Sequence, residues 1–253
     1  MPTKKLSTKA KPAARKKAAA APPAHDIAVV VATLKRMGSK SVRDGMARFA
    51  IPSDNAFGVP VGQMRDYAKR LGRNHDLAAE LWAAGWYEAR MLAAFVDDPQ
   101  LVTPAQMDRW CRDFDSWAIC DHACFHLFDR TPHAWKKINE WSRRKEEFVK
   151  RAAFATLWGL TAHDKTAADS LFADSLTLIE RAATDDRNFV KKAVNMALRA
   201  IGKRNAQLHS AALATAERLA ASSDPTSRWN GKDALRELKN ASTLRRISSR
   251  TRL

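Results

Sequence analysis

The pentapeptide Phe148-Val149-Lys150-Arg151-Ala152 returns 41 residues later as Phe189-Val190-Lys191-Lys192-Ala193, and each copy opens a run that continues in alanine and leucine at helical spacing. A period near 40 built from paired helices is the mark of stacked HEAT-type solenoids, in which each repeat buries its apolar face only against its neighbours. Apolar residues also recur at three and four in AVVVATLKRM, MRDYAKRL, LAAELWAA and ARMLAAFV, between Ala28 and Val96. No sustained two-residue alternation calls for a strand. From Asp26 onward the chain predicts about twelve short helices in an all-α, HEAT-like repeat superhelix with a concave basic groove.

Helix punctuation agrees. Gly38, Gly72, Gly85, Gly159 and Gly202 each close an apolar-periodic run, as a left-handed residue just past a helix end would. Thr103-Pro104 with Gln106 reads as a capping box with proline at the first helical position, and Asp224-Pro225 repeats the start signal. Ala50 to Gly62 is the longest irregular connection. Arg90, Asp121, Arg151 and Lys192 follow one another at spacings of 31, 30 and 41, each near the start of the second helix of a pair. Equivalent positions of a solenoid line one surface, although each basic residue taken singly reads as an ordinary solvated face.

One stretch stands apart. Phe114 to Phe128 (FDSWAICDHACFHLF) sets Trp117 and Asp121 four residues apart, hence on one face of a largely apolar helix. Aspartate is a poor helix former and is rarely buried alone. The plain reading is a carboxylate paired with a neighbouring arginine or a helix end.

The 253 residues carry 44 Lys/Arg against 27 Asp/Glu, a formal net charge of +17. Residues 1–24 hold seven Lys/Arg and no acid in an Ala/Pro/Lys composition that predicts a disordered basic tail; the alternative of an organellar transit peptide lacks an amphipathic face. The remainder has 37 basic and 27 acidic residues, a net +10, so the folded part itself favours a polyanion. The predicted division is a tail over 1–24, a helical repeat domain over 25–240 and a basic, disordered tail over 241–253. No apolar run approaches the ~18 residues of a membrane span, so the expectation is a cytoplasmic protein with no membrane partner. Cys111, Cys120 and Cys124 are too few and too clustered for a disulfide framework and read as free thiols. Cys120, His122, Cys124 and His126 lie on different faces of one helix and cannot converge on a metal ion. Trp82, Trp86, Trp110, Trp135, Trp141, Trp158 and Trp229 read as helix-packing residues. Lys136-Lys137, Arg143-Arg144 and Lys203-Arg204, near helix ends, are candidate phosphate contacts.

Trp117-Ala-Ile-Cys-Asp121, then Lys150-Arg151-Ala152-Ala153, then Phe189-Val190-Lys191-Lys192-Ala193-Val194-Asn195-Met196-Ala197-Leu198-Arg199, resembles the bacterial DNA alkylation repair family, the HEAT-like-repeat DNA glycosylases. The resemblance runs from about Val42 to Leu238. It includes Gly58-Val59-Pro60 with Met64-Arg65, Trp86 with Glu88 and Arg90, and Lys232-Asp233-Ala234-Leu235. It implies Asp121 as the catalytic carboxylate, Trp117 as an aromatic wall of the lesion site and Arg151 as a DNA-facing cation. Lys150, Lys191, Lys192, Arg199, Lys203, Arg204, Lys232 and Arg90 complete the expected DNA-binding set. Met196 stands where the family has its second site tryptophan and lacks the π face that attracts a cation.

The resemblance implies excision of cationic alkylated purines from duplex DNA by a monomer, with no metal or organic cofactor. A positively charged N3- or N7-alkylpurine is already a good leaving group, so a carboxylate to stabilise an oxocarbenium-like sugar and an indole to hold the cation suffice. Two alternatives accompany this reading: a DNA-binding repair or architectural protein of the same fold that excises nothing, and a helical protein-interaction scaffold.

Overall fold

A computed structural model describes residues 26–250; the predicted tail over 1–24 lies outside them. Among the described residues there are fourteen α-helices, two short 3-10 turns and no strand. The helices are α1 (Ile27–Met37), α2 (Lys40–Asp44), α3 (Val61–Leu71), α4 (His75–Ala83), α5 (Tyr87–Val96), α6 (Pro104–Arg112) and α7 (Trp117–His126), followed by α8 (Ala134–Trp141), α9 (Glu147–His163), α10 (Asp169–Ala182), α11 (Asn188–Ile201), α12 (Ala206–Ala220), α13 (Pro225–Leu238) and α14 (Ala241–Arg250). Helices α3, α5, α7, α9, α11 and α13 pack side by side in one row, and α4, α8, α10 and α12 back onto it pairwise. The result is the expected all-α solenoid with a concave face.

Serine, threonine, asparagine or aspartate starts many of these helices. Asp26, Ser39, Asn74, Thr103, Ser116, Asn205 and Asp224 each accept a backbone N–H of the first turn. The Thr103 half of the predicted capping box forms, but Gln106 turns its amide to Asp97 (2.7 Å) and does not reach back. The outer row is pinned by tryptophans. Trp82 and Trp110 stack at 3.9 Å, and the indole N–H groups of Trp82 and Trp141 donate to Asp113 and Asp108, each at 2.8 Å. Glu88, wholly buried, takes the backbone N–H groups of Phe57, Gly58 and Val59 and so orders the irregular Ala50–Gly62 connection. Gly58 sits at φ +83°, where a Cβ would lie 2.2 Å from the Ser39 carbonyl oxygen.

Three expectations are corrected. The segment 241–253 was expected to be disordered, yet its first ten residues form α14, which contacts α13 and buries Thr243 and Ile247. Two further helices than expected appear because α2, only five residues, and α14 lack a long apolar run in sequence. Of the glycines taken as left-handed helix ends, Gly72 and Gly85 have positive φ and Gly38 ends α1 in an extended conformation, but Gly159 lies within α9 and Gly202 is right-handed. These two are small for packing reasons. A Cβ at Gly159 would meet Asp129 Oδ2 at 2.7 Å, and one at Gly202 would meet Leu238 at 2.7 Å.

Candidate nucleic-acid interface

The fifth residue of α7 is Asp121, of α9 Arg151, of α11 Lys192 and of α13 Trp229. Because the four helices stand in one row, these positions face a single cleft of about 660 Å³, whose lining also includes Arg48, Phe49, Trp117, Asn188, Phe189, Asn195, Met196, Arg199 and Asp233. The sequence-derived catalytic pair and Met196 are therefore brought together. One wall comes from far away in the chain: the 3-10 turn Ala47–Phe49 is tied down by the Trp117 indole N–H, which donates to the Phe49 carbonyl at 2.8 Å. Ala50, which ends that turn, takes a left-handed conformation at φ +54°.

At the centre Asp121 and Arg151 form a fork-to-fork pair. Arg151 Nε and Nη2 donate to the two carboxylate oxygens at 2.8 and 2.7 Å, and Nη1 donates to the Phe189 carbonyl at 2.6 Å. Only 15% of the Asp121 side chain and 6% of the Arg151 side chain remain exposed. Burial pushes the Asp121 carboxyl above the usual carboxylate range, against the opposing pull of the Arg151 guanidinium. Arg151 also lies 6.0 Å over the rings of Trp117 and Phe189. Arg151, expected as a DNA-facing cation, lines the cleft, but its guanidinium is nearly buried and its donors are taken by Asp121 and the Phe189 carbonyl, so it orients Asp121.

The other expected cations divide by partner. Lys192 and Lys232 are exposed and Lys191 is half-buried, and none of the three has a carboxylate at ion-pair distance among the described residues. Lys150 pairs with Asp185 at 2.9 Å, and Arg199 and Lys203 share Glu237. Arg204 is drawn away over Phe172, with hydrogen bonds to the Thr161 and Ala167 carbonyls. Arg90 donates to the Asp113 carbonyl at 3.0 Å and lies over Trp82, outside the cleft lining. Lys137, a candidate phosphate contact, is instead buried between Asp108 and Glu140, each at 2.7 Å. Arg144 is paired with Glu146 at 2.5 Å.

The remaining chemistry-bearing residues on α7 serve packing. All three cysteines are free and buried; Cys120 and Cys124 donate to the Phe148 and Ala152 carbonyls. His122 Nε2 lies 2.9 Å from the Met91 carbonyl, and burial pushes the imidazole down to about 3. Sequence reasoning missed Arg48, Phe49 and Trp229. The last had been assigned to packing, yet it is 40% exposed and stands in the cleft.

A row of paired helices with a cation-flanked cleft along its inner face defines a HEAT-like repeat solenoid protein. The family model described as DNA alkylation repair enzyme matches residues 30–238, and the chain belongs to that family. Among solved structures, "a new family of proteins related to the HEAT-like repeat DNA glycosylases with affinity for branched DNA structures" shares the fold, with a TM-score of 0.70 at 22% identity over 84% of this chain and 95% of that chain. A designed armadillo repeat protein also matches, at 14% identity over 71% of this chain and 93% of that one, but its TM-score of 0.31 is too low to inform the fold. No curated protein sequence matches. No described helix is long and apolar enough to cross a membrane.

Proposed function

We propose that the protein binds duplex DNA along its concave face and excises cationic alkylated purines, 3-alkyladenine and 7-alkylguanine, as a DNA glycosylase. The observation that carries this reading is the convergence of Trp117 and Asp121 on one cleft whose rim holds the exposed cation Lys192. Arg151 occupies one acceptor site on each Asp121 oxygen, and a carboxylate has about four. The remainder is enough to accept a hydrogen bond from water while the negative charge stabilises the oxocarbenium-like sugar. Water adds at C1′ and gives up a proton to solvent by way of Asp121, the N-glycosidic bond breaks, and its electron pair neutralises the departing base. The face of Trp117 turned away from Arg151 holds that base while it is cationic. Lys191, Lys192 and Lys232 take phosphates directly, whereas Lys150, Arg199 and Lys203 must first exchange a carboxylate for a phosphate. One chain lines the whole cleft, so the working unit is a monomer, and a protein acting on chromosomal DNA belongs at the nucleoid.

A second reading has its own observation. The guanidinium fork compensates the Asp121 charge, and Met196 supplies no second indole. Both favour a protein that binds DNA without excision; the structurally similar family is described by its affinity for branched DNA. Release of methylated base from alkylated duplex, wild type beside Asp121→Asn, separates the two. Excision predicts release that falls by a hundredfold or more in the variant. Tight duplex binding with no release from either protein selects the second reading.

A further inference from the structure

Trp229 is unlike the other tryptophans pinned by the fold. Trp82 and Trp141 are buried with their N–H groups on carboxylates, whereas Trp229 is 40% exposed in the cleft, with Lys191 Nζ 4.9 Å over its ring. Lys191 comes from α11 and Trp229 from α13, so two neighbouring repeats build the pair. A ring face that already holds an ammonium is a poor seat for a second cation. An ammonium over one face of a partly open indole instead matches the two ends of a nucleotide, the phosphate for Lys191 and the base for the part of the ring that the ammonium leaves open. Paired bases in a duplex keep their faces stacked on one another, so only an unpaired base can reach the indole.

We infer that Trp229 and Lys191 form a stacking subsite for an unpaired nucleotide of DNA, a few side chains along the same cleft from Trp117 and Asp121. The subsite supplies from α13 an aromatic wall that Met196 on α11 does not. It rests on the proposed binding of DNA in this cleft and is independent of excision. It makes the preferred partner a duplex interrupted by an extrahelical base, not an uninterrupted one.

The test is binding of the full-length protein, at fixed salt, to a duplex and to the same duplex carrying a single 2-aminopurine bulge. Wild type should prefer the bulge and quench its fluorescence. Trp229→Ala should lose about tenfold in affinity for the bulge, several-fold more than it loses on the paired duplex, and should lose the quenching. Trp229→Phe should restore most of both. Because the indole is 40% exposed, a melting temperature near that of wild type will show that Trp229→Ala folds. Salt-sensitive duplex binding with bulge preference and quenching unchanged in Trp229→Ala would overturn the subsite and leave the DNA reading standing. Wild type that binds neither DNA would overturn both.

Discussion

Arg151 holds both oxygens of Asp121 and spends its last amino group on the Phe189 carbonyl, so one side chain of α9 braces α7 and α11 at once. Removing one member of a buried pair leaves the other charged and uncompensated. Asp121→Ala should therefore destabilise the fold by about 3 kcal/mol in urea unfolding. Asp121→Ala combined with Arg151→Met should recover a substantial part of that loss. A double variant as unstable as the sum of the singles would show that the two residues do not act as a pair.

Met196→Trp tests the departure from the family pattern. If a second indole improves the hold on a cationic base, release of 7-alkylguanine or 3-alkyladenine should rise by up to about tenfold, equivalent to ~1.4 kcal/mol of cation–π attraction. The gain should vanish when Asp121→Asn is added, since a better grip on the base does not stabilise the sugar. A neutral or harmful Met196→Trp would mean that this chain builds its lesion wall from other residues.

Acid should weaken the fold through His122. Its folded pKa of about 3 lies below the ordinary imidazole value, so the unfolded chain binds the proton more tightly. Its contribution is complete above pH 6.5 and is lost progressively as pH falls towards 3. At pH 5 the loss is of order 2 kcal/mol. His122→Gln, whose amide can still reach towards the Met91 carbonyl, should flatten the fall in stability between pH 7 and 5. Parallel wild-type and variant curves would remove His122 as the cause.

Gly159→Ala should destabilise the protein by about 1–3 kcal/mol, although alanine in a helix interior ordinarily gains up to ~1 kcal/mol over glycine. The new Cβ would meet Asp129, whose side chain is buried and held to His163 at 2.5 Å and so has nowhere to retreat. Asp129→Gly should relieve the clash, whereas Asp129→Ala should relieve it only in part because its Cβ would stay 2.8 Å away; a Gly159→Ala protein as stable as wild type by thermal melting would show that α9 can shift.

Much of the architecture was written in the chain. The Phe148 and Phe189 repeats, the helix starts at Thr103 and Asp224, and the convergence of Asp121, Arg151 and Lys192 follow from periodicity and capping, which are local properties. Which charge meets which is not local. The plain reading of Asp121 as paired with an arginine holds, but the sequence could not say that the arginine is Arg151, that Lys137 is buried between two acids, or that Glu237 claims Arg199 and Lys203. Trp229 was misjudged because it was read with the other tryptophans, as a large aromatic of the kind that dominates cores. The missed signal was its rank: fifth after the helix start, as for Asp121, Arg151 and Lys192. Arg48 and Phe49 precede an irregular connection with no period to place them.

The cleft is walled at one end by Arg48 and Phe49 and at the other by Trp229 and Asp233, with Trp117 reaching back to fasten the first of these walls. Each helix pair needs only its neighbours to fold, but the cleft needs the array to be the right number of pairs long. A nascent chain halted before α13 can stack its earlier repeats and still possess only an open trough. Insertion or loss of one pair between α7 and α13 would leave every local contact satisfiable while carrying the two walls out of reach of one another. The binding site is in this sense a property of counting: it is set by how many repeats separate two surfaces.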